Sequence, residues 1–324
     1  MTGVWHTGFV EDRWKGRVDL DAAGFTARWH QLVGPVPDEG LLGGSTLLGL
    51  ASDAGVRRNH GRAGAAQGPT ALRAMLSNVA LPVPYPLYDA GDVVCADDDL
   101  EAAQAAYAAT LKDLLDRRTF PVGIGGGHEI AWATWCGLAD HLAAREETPR
   151  IGVLNLDAHL DLRDDERATS GTPFRQIGED CARRGWSFQY ACFGASRFAN
   201  TAALFGRAEW LDARVILDED MGVLQRDDVI DQLLLFLDHV DHLYLSVCLD
   251  VLPPDLAPGV SAPSARGVTL EVIEAIVLQA AVCGKLRVAD VAELNPSFDI
   301  DNRTARVAAR IIAGLVTRRL GTRR

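Results

Sequence analysis

The sequence predicts an α/β protein of three layers, α/β/α, built around a mostly parallel sheet. Short apolar runs of β type alternate with longer helical patterns along the chain. Several of the runs carry apolar side chains at consecutive positions, as strands covered on both faces do. Polar residues of ligand type follow directly after several of these runs, and the carboxyl ends of the strands are where open α/β sheets bind ligands.

In chain order, an irregular, tryptophan-containing stretch over residues 1–40 comes first. Strands are expected at Thr46–Ala51, Phe120–Ile124, Ile151–Leu156, Phe188–Phe193, Arg214–Leu217, Leu243–Val247 and Leu286–Val291. Helices are expected at Pro69–Ser77, Leu100–Arg117, Glu129–Ala144, Asp227–Asp238, Leu270–Cys283 and Arg303–Arg319. In the last of these, Val307, Ile311, Leu315 and Arg318 follow the helical period. No repeat and no Pro/Ser-rich linker interrupts the chain, so residues 1–324 read as one domain with the first 40 packed on it.

Apolar residues make up 48% and charged residues 23% of the chain, enough to bury a large core and too apolar for disorder. The 44 acidic and 32 basic residues leave a formal charge of −12, whose field repels polyanions and argues against nucleic acid. A substrate bearing carboxylates therefore needs arginines placed locally. Cys95, Cys136, Cys181, Cys192, Cys248 and Cys283 form no Cys-x-x-Cys motif and read as reduced thiols. Glu11, Asp12 and Arg13 occupy the place of a signal peptide's apolar stretch, and no run is long enough to span a membrane. A cytoplasmic protein is expected.

Three motifs carry the chemistry. Asp157-Ala-His159-Leu-Asp161 follows the strand ending at Leu156, and its alternate residues share a face if the chain stays extended. Ser246-Val-Cys248-Leu-Asp250 repeats the alternation after another strand. Gly125-Gly-Gly-His128-Glu129 puts a histidine where a helix begins. Alone, the glycine run is an ordinary tight turn and its histidine a cap. Three polar side chains on one strand face, by contrast, waste core burial unless something satisfies them. Carboxylates with neutral imidazoles form a borderline-to-hard set that suits manganese, and two such ions sharing a bridging carboxylate make a nucleophile from water at neutral pH.

With these motifs the chain resembles the ureohydrolase family of arginase, agmatinase and formimidoylglutamase, whose metal motifs are Gly-Gly-x-His, Asp-x-His-x-Asp and Asp-x-Asp. The resemblance covers nearly the whole chain. It is strongest to the formimidoylglutamase branch, through Trp14-Lys-Gly-Arg-Val-Asp19, Arg28-Trp-His-Gln31, Gly55-Val-Arg-Arg-Asn59, Asp161-Leu-Arg163, Ser170-Gly-Thr-Pro-Phe-Arg175 and Ala257-Pro-Gly-Val-Ser-Ala-Pro263. It implies an arginase-like, eight-stranded parallel sheet, two Mn(2+) ions per subunit and a homo-oligomer, trimer or hexamer. The implied reaction is hydrolysis of N-formimidoyl-L-glutamate, in histidine degradation, to L-glutamate and formamide by a hydroxide generated on the metals. His128, Asp157, Asp161 and Cys248 would hold one ion and Asp157, His159, Cys248 and Asp250 the other, with Asp157 and Cys248 as bridges. Glu293 matches the glutamate that grips the amidine nitrogens, and Asp161 would orient the nucleophile and pass on its proton. For the substrate carboxylates, planar arginine forks are the natural readers. Arg163 and Arg175, then Arg62, are the candidates, with Thr172 as a hydroxyl donor.

The departure from the family is Cys248, where an aspartate is usual. A thiolate is softer and favours zinc or iron over manganese, and as an ordinary buried thiol it would leave one ion weak or absent. Two rival readings follow: a guanidino-acid ureohydrolase releasing urea, and a metal-poor binding or regulatory homologue. A one-zinc deacetylase-like enzyme would leave Glu293 without a purpose. His60 reads as an exposed loop histidine near the mouth of the site, and His239 and His242 read as solvated.

Overall fold

The computed structural model describes residues 3–20 and 24–320. Residues 1–2, 21–23 and 321–324, over which the one-domain expectation also extends, lie outside the described residues. Ten strands form one sheet: β1 Val4–His6, β2 Val33–Pro35, β3 Ser45–Ala51, β4 Leu87–Cys95, β5 Phe120–Gly125, β6 Ile151–Leu156, β7 Gln189–Ala195, β8 Arg214–Leu217, β9 His242–Cys248 and β10 Leu286–Ala292. Eight of them, in the order β4-β3-β5-β10-β9-β6-β7-β8, are mutually parallel. The N-terminal segment is less irregular than its sequence suggests. It adds β1 antiparallel to β4 and β2 parallel to β4, and a short helix at Trp29–Leu32.

Parallel strands need long crossovers, and here helices supply them on both faces. Helices at 68–76, 226–238, 270–282 and 303–320 bury Leu72, Leu233, Ile276 and Ile311 against one face of the sheet. Helices at 100–116, 130–143, 173–184 and 202–210 bury Leu111, Leu138, Ile177 and Leu204 against the other. Successive strand residues feed opposite layers, as the pleat requires: Val153 packs with the second cluster and Leu154 with the first. Arg318, on the expected stripe of the last helix, is exposed.

Within the run of eight parallel strands, the one the sequence does not predict is β4, Leu-Tyr-Asp-Ala-Gly-Asp-Val-Val-Cys. Its apolar run is broken by Asp89 and Asp92, yet both are buried. The Arg73 guanidinium, fully buried, donates to both Asp89 oxygens at 2.8 Å and to Asp92 at 2.6 Å. Trp14 donates its indole N–H to Asp89 at 2.9 Å and Arg13 pairs with Asp92 at 2.5 Å, which ties the N-terminal segment to the sheet edge. Buried charges persist only when paired and hydrogen-bonded in this way.

Candidate metal centre

The carboxyl ends of four neighbouring strands, β5, β10, β9 and β6, lie level with one another. The register pairs Val291 with Ile124, Ala292 with Cys248, and Val247 with Leu156. The residues just past these ends come together: His128 after β5, Glu293 after β10, Cys248 and Asp250 at the end of β9, and Asp157, His159 and Asp161 after β6.

His128 is positioned by a glycine loop. A Cβ at Gly126 would stand 1.7 Å from the Ser52 carbonyl oxygen, so this loop closes against the end of β3 only without a side chain. The His128 backbone N–H donates to Glu293 Oε1 at 2.9 Å. Its ring Nε2 lies 2.9 Å from Ser246 Oγ, and that hydroxyl donates its proton to Asp290 Oδ1 at 2.6 Å. With the serine proton spent on Asp290, Nε2 carries the imidazole hydrogen and Nδ1 presents a lone pair. Nδ1 sits 2.9 Å from both Asp157 Oδ2 and Asp161 Oδ2.

The Asp157 to Asp161 motif is not extended. β6 ends at Leu156, and the Asp157 Oδ1 oxygen accepts the His159 backbone N–H at 2.7 Å, turning the chain on itself. Asn200 Oδ1 accepts the Leu160 N–H at 2.9 Å, and Asp161 takes the left-handed φ of 47°. The three side chains converge through this turn and not through strand alternation. Glu293 is likewise held at φ 72°. Non-glycine residues in this region are uncommon and persist where the surroundings over-determine them.

Two ligand groups result. His128, Asp157 and Cys248 offer donor atoms all within 4.8 Å of one another, as do Asp157, His159 and Asp250. Asp157 belongs to both. His159 Nδ1 lies 3.1 Å from Asp250 Oδ2. Cys248 groups with His128 and Asp157, and its side chain is also hydrogen-bonded to Asp250 of the second group.

The electrostatics show what the site lacks. Burial alone would lower the His128 pKa, but Asp157 and Asp161 carry it well above its ordinary value. Burial and the charge of Asp157 push Asp250 up to about 6. Burial, with Asp250 and Glu129 nearby, pushes Glu293 up to about 8. Burial also drives the Cys248 thiol well up, reinforced by Asp157 and Asp250. Among the described residues no lysine or arginine pairs with Asp157, Asp161, Asp250 or Glu293. His128 Nδ1, Asp250 Oδ1 and Glu293 Oε2 are buried without a hydrogen-bond partner. Buried carboxylate oxygens and an imidazole nitrogen gathered in a field this negative fit divalent cations.

The site opens into a cavity of about 260 Å³ whose outer wall includes Asn59, His60, Arg62, Arg163 and Ser170. Arg163 is exposed, its stem lies over Gly171, where a Cβ would meet its Cδ at 2.7 Å, and its guanidinium has no partner among the described residues. Arg62 also lines the cavity but donates to the Ser261 and Val260 carbonyls and stacks on Phe298 at 3.9 Å. Arg175 and Thr172 do not line it. Residues 173–184 form a helix outside those the sequence predicts, and from it Arg175 donates to the Arg163 carbonyl at 2.7 Å and pairs with Glu179. Thr172 is fully buried, and its hydroxyl is bonded within the turn to Thr169 and Gln176. Both shape the loop that carries Arg163.

Sequence reasoning missed the support behind His128. Ser246 was visible as the strand neighbour of Cys248 on the same face, but Asp290 carried no signal beyond an acidic residue inside an apolar strand. His60 is exposed and lines the cavity. His242, expected in solvent, is buried between Glu146 at 2.9 Å and Arg287 at 2.9 Å.

The model of the arginase family matches residues 44–317. The chain is 57% identical over 313 residues to the formimidoylglutamase of Ralstonia nicotianae, covering 96% of each chain. It is 49% identical to that of Aromatoleum aromaticum over 93% of this chain and 91% of the relative. Among solved structures, Trypanosoma cruzi formiminoglutamase with Mn2+ superposes with a TM-score of 0.74 at 27% identity, covering 85% of this chain and 93% of the other. Bacillus subtilis formimidoylglutamase gives a TM-score of 0.80 over 94% of both chains. At 22% identity it speaks to the fold alone.

Proposed function

This chain belongs to the arginase family, and from that premise we propose that it hydrolyses N-formimidoyl-L-glutamate to L-glutamate and formamide. The observation that carries the reading is the pair of cation-ready groups joined at Asp157, opening into a cavity with an unpaired arginine at its wall. His128, Asp157, Asp161 and Cys248 would hold one divalent cation, and Asp157, His159, Cys248 and Asp250 the other. When bound, such a pair lowers the pKa of water so that a nucleophile exists at neutral pH.

The chain's own residues do the rest. Glu293 presents its free Oε2 to the cationic amidine nitrogens, where a buried carboxylate gives a strong charge-assisted contact. As water adds to the formimidoyl carbon, Asp161 takes its proton. It then delivers that proton to the glutamate nitrogen as the carbon–nitrogen bond breaks. Formamide and glutamate leave. Arg163 reads a carboxylate of the glutamate part. The same reading takes the chain as a single catalytic domain that assembles into a homo-oligomer in the cytoplasm. Exposed Phe198, Trp210 and Leu224 support self-association, and six unpaired cysteines suit a reducing compartment.

The test is product analysis with manganese-loaded protein, following formamide from formimidoylglutamate and urea from guanidino acids. Formamide should be released with the higher kcat/KM. Urea release at higher kcat/KM would transfer the enzyme to the other branch. Arg163→Ala removes one charge-assisted contact of about 1.5–3 kcal/mol. Because the side chain is exposed, the lower end applies, a rise in KM of about tenfold with kcat little changed. An unchanged KM removes Arg163 from substrate recognition.

A further inference from the structure

We propose that Asn155, held by the Tyr190 hydroxyl, is the positioning residue that aims the Asp157 carboxylate at both cation groups at once. The proposal rests on the metal reading above and adds what fixes a ligand the two groups share.

Asn155 sits in β6, between β9 and β7, in a strand buried along its whole length. Asparagine is a poor strand former, and its amide makes burial costly unless it is satisfied. Here the amide is satisfied only in part. Nδ2 donates to Asp157 Oδ2 at 3.1 Å and to the Tyr190 hydroxyl at 3.2 Å, while Oδ1 is buried with no partner among the described residues. The reverse orientation of the amide would set its oxygen against a carboxylate, so Nδ2 is the atom that faces Asp157. An apolar residue would suit the strand better, and what the asparagine adds is its donor.

The Asp157 carboxylate then has a donor on each oxygen. Oδ1 accepts the His159 backbone N–H at 2.7 Å and lies 3.5 Å from His159 Nδ1. Oδ2 accepts the Asn155 amide and lies 2.9 Å from His128 Nδ1. The two donors fix the plane of the carboxylate and turn one oxygen to each group, as a ligand common to both requires. Tyr190 holds the amide in turn. Its hydroxyl donates to the Leu160 carbonyl at 2.9 Å, so an oxygen lone pair receives Asn155, and the same bond pins the turn that carries Asp161. Cys192, which touches Tyr190 on the same strand face, adds a thiol contact to the His159 carbonyl at 3.4 Å. The Tyr190 ring stacks on Phe174 at 4.7 Å and on Phe188 at 5.6 Å, which leaves the hydroxyl little freedom. Hydrogen-bond partners behind metal ligands orient them and contribute about 10–100-fold in affinity. A partner behind a shared carboxylate differs from one behind His128 in that both cation positions depend on it.

The experiment titrates the full chain, stripped of metal, with manganese against a competing chelator. Wild type should take two equivalents per chain. Asn155→Leu should weaken both equivalents, each by about 10–100-fold. Circular dichroism and melting of the metal-free protein report the fold separately. Tyr190→Phe, which keeps the amide and removes its anchor, should weaken both equivalents in the same direction, and it carries the comparison if Asn155→Leu does not fold. Wild-type affinity at both equivalents in either folded variant, whatever its melting, would overturn the proposal and leave the metal reading intact. Weakening of one equivalent alone would overturn it by confining Asn155 to one group. Wild type that binds no metal would overturn both.

Discussion

Replacing Ser246 by alanine should loosen one cation position and leave the other as it was. The hydroxyl stands between His128 Nε2, 2.9 Å away, and Asp290 Oδ1, 2.6 Å away, and all three residues are buried. It fixes the tautomer that aims the Nδ1 lone pair at Asp157 and Asp161. Asp290 is itself anchored at its other oxygen by Thr134 at 2.7 Å and Tyr244 at 2.6 Å, so the relay is rigid. Outer partners of metal-binding histidines contribute about 10–100-fold in affinity. At about 1.4 kcal/mol per decade, the loss is about 1.4–2.8 kcal/mol. The Nε2–H left buried and unpaired costs the fold a further penalty of about 1–3 kcal/mol, which appears in the melting of metal-free protein. Calorimetric titration of stripped wild type and Ser246→Ala with manganese, against a competing chelator, separates the effects. One equivalent should weaken and the other stay fixed, because neither His159 nor Asp250 is hydrogen-bonded to Ser246. Equal weakening of both equivalents, or of neither, would refute the assignment of His128 to a single position.

Two further outcomes concern the frame that holds the site. Arg73→Leu strands the buried carboxylates of Asp89 and Asp92 without their cation. Denaturant unfolding should report a loss of about 3–5 kcal/mol, and a loss under about 1 kcal/mol would mean that the N-terminal segment's Arg13 and Trp14 suffice. Asp116 meets Lys112 and His141 at 2.6 Å and Arg145 at 2.9 Å. Burial would raise its pKa, but Lys112 and His141 pull it down to about 2. A depressed carboxyl stabilises the fold above its unfolded value of about 3.9, and that contribution is lost as pH falls toward 2. With the side chain 31% exposed, screening holds the effect to about 1 kcal/mol. Melting curves of Asp116→Asn should lack this part of the acid slope, and an unchanged slope between pH 4 and pH 2 would discount the cluster.

The seven strands read from sequence all lie in the parallel sheet, because each is a short apolar run, and for all but the half-buried edge strand β8 burial on both faces demands nothing more. β4 was illegible for the opposite reason: Asp89 and Asp92 are strand residues whose burial depends on Arg73, a partner on a separate helix. The helix at 173–184 lies outside the predicted set, and only that helix shows Arg175 turned to Glu179 and the Thr172 hydroxyl bonded to Thr169 and Gln176.

What the amino-acid sequence determined by itself was the inventory: which side chains can ligate, that each follows an apolar strand, and that Cys248 brings sulfur where oxygen is usual in the family. Residue type and local period are properties of a few neighbouring positions, so they survive without any knowledge of the fold. The tertiary structure decided the rest. It set β5, β10, β9 and β6 side by side, brought the sulfur against His128, Asp157 and Asp250, placed Ser246 and Asp290 behind that histidine, and left Arg163 without a partner among the described residues while binding Arg175 elsewhere. Those choices follow from strand order and packing among segments far apart in the chain, and no local pattern carries that information.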